Sequence, residues 1–108
     1  EGIFSLDVLE HIQKKSESIF MKNICDSLSE TGSAIIGMPS FESQEYASEP
    51  SKIGHVNCKR ASELKALLQE HFKNVFLFSM NDEVLHTGFH PMSHYLLVLC
   101  CSPKKYDK

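Results

Sequence analysis

Ile3-Phe4-Ser5-Leu6-Asp7-Val8-Leu9-Glu10-His11-Ile12 begins as a short apolar run and closes on two carboxylates and an imidazole. Such a run reads as a buried strand that brings polar groups to its carboxyl end. In open α/β sheets ligands sit at that end, so Asp7, Glu10 and His11 are the first candidates for a functional site.

Working outward, Ile19, Phe20, Ile24 and Leu28 recur at helical spacing between Ser16 and Glu30. Ser16 or Ser18 is placed to cap the start of this helix, and Gly32 to supply a left-handed stop. Ser33-Ala34-Ile35-Ile36-Gly37-Met38, closed by Pro39, reads as a second buried strand. Strand, helix, strand implies a parallel pair with a right-handed crossover. From Ser40 to Arg60 the composition turns to Ser, Glu, Gln, Pro and Lys and periodicity is lost, so the span reads as a long loop of the lid or binding type. Leu64, Leu67, Leu68 and Phe72 mark an amphipathic helix over Ala61 to His71 whose stripe is core. Val75 to Met80 reads as a third strand. Tyr95 to Cys101, apolar at almost every position, reads as a fourth, buried on both faces inside the sheet. Residues 81–93 between them are too long for a tight hairpin, and Met38, Met80 and Met92 read as gap fillers.

The 108 residues, 42% apolar and 23% charged, suit one soluble domain with one core. A formal charge of −3 without a basic block gives no electrostatic footprint for nucleic acid or an anionic membrane. Lys104, Lys105 and Lys108 read as a solvated tail. No apolar run reaches the roughly 18 residues of a membrane span and no charged start precedes an apolar signal core, which points to the cytoplasm. Cys25, Cys58, Cys100 and Cys101 show no C-x-x-C spacing and read as reduced structural thiols, the adjacent pair pointing to opposite faces of a strand.

The opening ten residues resemble the fourth strand and following turn of class I S-adenosylmethionine-dependent methyltransferases, where an apolar strand is followed by D-x-L-E-H-I. "L-x-x-x-G-x-x-I-I-G-M-P" from Leu28 to Pro39 is similar to that family's fourth helix and fifth strand, and "G-H-V-N" at Gly54 to Asn57 precedes the next helix as it does there. The Tyr95-to-Cys101 run is similar to the family's last strand, which is antiparallel and inserted between two others. The resemblance implies an α/β fold: a partial Rossmann-like methyltransferase sheet of about four strands with two main helices, forming one partial domain over residues 1–108. It also implies the carboxyl-terminal half of such an enzyme, inactive by itself, with S-adenosylmethionine as cofactor of the complete enzyme and a small molecule or glycan as methyl acceptor. Gly2, Gly32, Gly37, Gly54 and Gly88 are scattered, so the family's glycine-rich cofactor loop has no counterpart.

Carried over residue by residue, the resemblance places Glu10 and His11 in catalysis and Asp7 and Leu9 beside the cofactor. Some members bind a divalent metal through an acidic residue, two spacers and Glu-His. By that likeness Asp7, Glu10 and His11 are metal ligands, with His55 the fourth. Mixed oxygen and nitrogen ligands suit Zn²⁺ better than Mg²⁺ or Mn²⁺. Two plainer roles stand beside the metal: Glu10 caps the following helix and His11 packs in the cleft, or the pair acts directly as acid and base. His55 alone also reads as a loop residue engaged in a hydrogen bond. His86, His90 and His94 share a loop rather than a helix face and lack zinc-site geometry. Two other classes of function fit the residues: a stand-alone half-fold serving as a dimerisation or scaffold module, and a small metal-binding protein. The resembled fold places its first strand beside this one, so without that half the strand near residues 2–9 is an unprotected edge, which predicts a homodimer through it.

Overall fold

The computed structural model describes residues 2–104. It is an α/β fold of five strands in one mixed sheet with three α-helices. The strands are β1 (Gly2–Leu6), β2 (Ser33–Pro39), β3 (Phe72–Asn81), β4 (Val84–His86) and β5 (Tyr95–Pro103), and their order across the sheet is β1-β2-β5-β3-β4. β1 and β2 are parallel, and β5 runs antiparallel between β2 and β3. The apolar run of β5 thus occupies the sheet interior, where an edge would have left its backbone groups unpaired.

α1 (Lys14–Ser27) and α3 (Ala61–His71) cover one face. Met21, Ile24 and Cys25 of α1 and Leu64 and Leu68 of α3 bury against Ala34, Ile36 and Met38 of β2 and Leu96, Val98 and Cys100 of β5. The opposite face is apolar but open. Phe4, Ile35, Leu99 and Phe76 stand side by side in register across four strands, and Phe4 is 75% exposed. The expectation that β5 is buried on both faces is therefore corrected: its burial alternates, because helices cover one side only.

Several boundaries also differ. α1 begins at Lys14 after Gln13, without a side-chain cap, so Ser16 and Ser18 lie inside it. Gly32 is not left-handed; the helix ends at Ser27 and Leu28 is already extended. The span read as a long loop contains a 3₁₀ turn (Glu42–Tyr46) and a short helix, α2 (Glu49–Gly54). Ser48 caps α2 by accepting from the Ser51 amide and Pro50 sits in its first turn, a pattern that overrides the missing apolar period. Residues 81–93 do hold a tight hairpin: Asn81 pairs with Val84 around Asp82-Glu83, with Asp82 in the left-handed region that Asp tolerates. Met92 is exposed rather than filling a gap. None of the four cysteines is in a disulfide, with Cys100 buried and Cys101 partly exposed. Lys104 is tied down, donating from Nζ to the Gln69 carbonyl at the end of α3, whereas Lys105 and Lys108 lie outside the described residues. Among the described residues no helix is long and apolar enough to cross a membrane.

Gly37 decides how the open face meets the end of β1. A Cβ there would lie 2.7 Å from Tyr95 Oη and 2.8 Å from Leu6 Cδ2, so the missing side chain is the space into which Tyr95 packs. Gly37→Ala is expected to lower the stability to urea by about 1–3 kcal/mol, the usual cost of overpacking. An unchanged midpoint would show that Tyr95 swings aside freely.

Candidate functional site at the carboxyl ends of β1 and β2

Leaving β1, the chain turns through Asp7, whose φ of 62° is left-handed, and the Asp7 amide donates to the Gly37 carbonyl at 3.0 Å. Leu9–His11 then form a 3₁₀ turn that buries Leu9 and Glu10. From the other side, α2 delivers residues 55–59 to the same corner. The Asn57 amide donates to the Glu10 carbonyl at 3.0 Å. The Asn57 side chain donates to Glu17 Oε1 at 2.7 Å and accepts from Lys59 Nζ at 3.3 Å, while Lys59 also pairs with Glu17 at 2.8 Å. Asn57 and Lys59 are both buried, which makes this clamp costly to open. Burial alone would raise the Glu17 carboxyl, but the hydrogen bonds from Asn57 and Lys59 outweigh it and hold the group below its ordinary value.

The clamp sets His55 against His11, with ring centroids 4.9 Å apart. One ligand atom each from Glu10, His11 and His55 falls within 4.8 Å of the others. Each imidazole has its Nδ1 engaged: His11 with the Gly54 carbonyl at 2.8 Å and His55 with Gln44 Oε1 at 2.7 Å. A carbonyl oxygen only accepts, so both Nδ1 atoms carry a proton, and in the neutral rings the lone pair is on Nε2. Metal-ligating histidines are oriented by outer partners in the same way. Glu10 Oε1 is buried with no hydrogen-bond partner, and Oε2 lies 3.6 Å from His11 Nε2. Burial pushes the Glu10 carboxyl above its ordinary 4.5, partly offset by a hydrogen bond to its own backbone and by His11. The same burial, with Glu10 beside it, pushes the Cys58 thiol up to about 11, so Cys58 is a neutral thiol here.

Three of the four candidate ligands are therefore brought together. The Asp7 side chain is instead hydrogen-bonded to Tyr95, whose hydroxyl is pushed well above the phenol range by burial and then by Asp7. Leu9 is fully buried in the core, so its side chain lines no cleft. Glu10 does not cap α1, because Gln13 holds that position without a side-chain hydrogen bond. The hydrogen bond read for His55 is present, in addition to its place in the triad. His90 is engaged elsewhere, with the buried Ser79. Asn57, Glu17, Lys59, Gln44 and Tyr95 were not singled out from sequence. Asn57 had a signal, being the last residue of G-H-V-N, whereas Glu17 reads as one more polar residue of a helix.

The three residues fit a divalent ion: a buried carboxylate and two imidazoles each offer a ligand atom within 4.8 Å of the others. They do not fit S-adenosylmethionine by themselves, since no glycine-rich strand-to-helix turn faces this corner among the described residues. Comparison with models of protein families, with curated proteins and with solved structures gave no match.

Without metal, the ionised Glu10 carboxylate is a cost. An acid whose value is raised on folding binds its proton more tightly in the folded state, so stability falls as pH rises from the ordinary carboxylate value through the raised one. In chelator, Glu10→Gln is expected to be more stable than the parent at pH 7, by on the order of 1 kcal/mol. The gap should close as pH falls toward 4.5. Urea midpoints across pH measure this, and a variant less stable at pH 7 would contradict it.

Proposed function

We propose that this chain is part of a class I S-adenosylmethionine-dependent methyltransferase and supplies its acceptor side, with a divalent ion held by Glu10, His11 and His55. The observation that carries this reading is the strand order: a parallel pair, β1 and β2, followed by a last strand inserted antiparallel between β2 and β3, with the acid-histidine turn at the carboxyl end of β1. The triad agrees with it. A bound divalent ion would polarise an acceptor hydroxyl and lower its pKa, which suits transfer to the oxygen of a small molecule or glycan. In the metal-free site Glu10 serves the same end in the ion's place, since its raised value makes it a better proton acceptor than an exposed carboxylate. Asn57 and Gln44 act through the triad by fixing the rings and the turn. The groups that would hold the cofactor lie outside this set, so the chain alone is inactive in this account.

The cofactor part is tested by fusing a methyltransferase amino-terminal half, with its glycine-rich turn, ahead of residue 1. The fusion should bind S-adenosylmethionine in the micromolar range by calorimetry and residues 1–108 alone only in the millimolar range. A folded fusion that binds none contradicts the reading. The metal part is tested by Mn²⁺ relaxation of assigned amides. Broadening should centre on residues 10, 11 and 55, and Glu10→Gln or His55→Ala should weaken binding by at least about tenfold. His90→Ala should not change it; broadening confined to residues 81–94 would refute the site.

In the same reading β1 is an edge strand beside an open apolar face, with Phe4, Leu6 and Val8 exposed. Edges of this kind template pairing, and a two-fold contact closes without leaving another edge. Light scattering should find a dimer that Phe4→Lys dissociates. A monomer at high concentration, or a dimer unaffected by Phe4→Lys, would contradict it.

A further inference from the structure

We infer that the cleft beside His55 is a subsite for the anionic group of a small ligand whose body is flat and apolar. The cleft has a volume of about 350 Å³ and is lined by Lys14 of α1, Lys52 of α2, Phe41, Gln44, His55 and Val56, among others. Two lysines line it and no carboxylate does. Of the carboxylates on the surrounding elements, Glu17 pairs with Lys59 at 2.8 Å and also faces Lys14, Glu42 lies 3.6 Å from Arg60, and Glu42 and Glu45 line the adjoining hollow that Lys52 shares. Glu49 approaches Lys52 only to 3.9 Å, on an exposed helix face where such a pair holds weakly. The wall of the cleft itself therefore carries two ammonium groups and no carboxylate, with Glu17 and Glu49 each offsetting one of them in part. A phosphate or carboxylate gains a charge-assisted contact from each ammonium group, stronger than the hydrogen bond a neutral acceptor would make.

The ligand's body is read from the walls. Phe41 and Val56 are large apolar side chains left substantially exposed at the cleft. Arg60 lies over the Phe41 ring, 4.3 Å from its centroid, which fixes the ring and turns its remaining surface outward. An apolar wall with a few convergent polar groups is the usual form of a small-molecule site. Because His55 belongs both to this wall and to the Glu10-His11-His55 set, a ligand anchored by its charge at the lysines extends toward that set. That this ligand is the methyl acceptor rests on the reading above; that the cleft takes an anion does not.

The probe is phenyl phosphate, with phenol as its neutral counterpart, titrated into the protein in EDTA at low salt and followed by ¹H–¹⁵N spectra. Phenyl phosphate should shift amides of residues 41–58 and Lys14 saturably and bind about tenfold or more tighter than phenol. Lys14→Gln and Lys52→Gln, both on the surface, should each weaken phenyl phosphate about three- to tenfold and leave phenol unchanged. Equal binding of the two probes, shifts centred elsewhere, or lysine variants that bind as the parent does would each overturn the inference. The chelator keeps metal out, so failure here removes the anion subsite and leaves the metal site to its own relaxation test.

Discussion

The corner depends on one buried clamp. Asn57 donates its amide to the Glu10 carbonyl and its side chain to Glu17, and Lys59 closes the circuit by reaching both Asn57 and Glu17. This joins the stretch after α2 to two segments distant from it in sequence, the turn after β1 and the first turn of α1. Taking the Lys59 and Glu17 charges out of water is expensive, and the extra hydrogen bonds of Asn57 are what make the pair tolerable. With the clamp made, His55 has no choice but to face His11.

Placement on the sheet follows from a second constraint. β1 pairs with β2 in parallel, which brings the carboxyl ends of both strands to one end of the sheet, and β5 supplies backbone partners to β2 and β3 at once. Gly37 leaves room there for Tyr95, and Tyr95 holds Asp7. The tight turn after Leu6 can then bury Glu10 while leaving His11 partly exposed. Glu10 thereby stands in an environment unfavourable to its own charge. Such a group lowers stability in the absence of a partner, and stability given up at a site is a common mark of function.

Much of this was legible because it is periodic or terminal. The runs at Ile3–Leu6, Ser33–Met38 and Tyr95–Cys101, and the stripe of Leu64, Leu67 and Leu68, carry their own secondary structure. The polar cluster at Asp7 to His11 announced its place at a strand end. Less legible were features that depend on single residues in turns. Ser48 and Pro50 start a helix that has no apolar stripe, and Asp82 makes a hairpin of a span that looked too long for one. The open face misled for another reason: an all-apolar strand has the same sequence whether its second side is covered or bare. Of the site, Glu10 and His11 could be named from their residue types and their place at a strand end, and His55 as a ligand only through the resemblance. Their union could not, because it is made by Asn57, Glu17 and Lys59, whose roles exist only after folding.

Zn²⁺ coordination decides whether Glu10, His11 and His55 act as one ligand set, as proposed above. X-ray absorption at the zinc K edge, on protein loaded with one equivalent of Zn²⁺, tests it most directly because the spectrum counts imidazoles around the ion. The account predicts two imidazole nitrogens with carboxylate oxygen, falling to one imidazole in His55→Ala. A shell of oxygen alone, or two imidazoles that persist in His55→Ala, would contradict it.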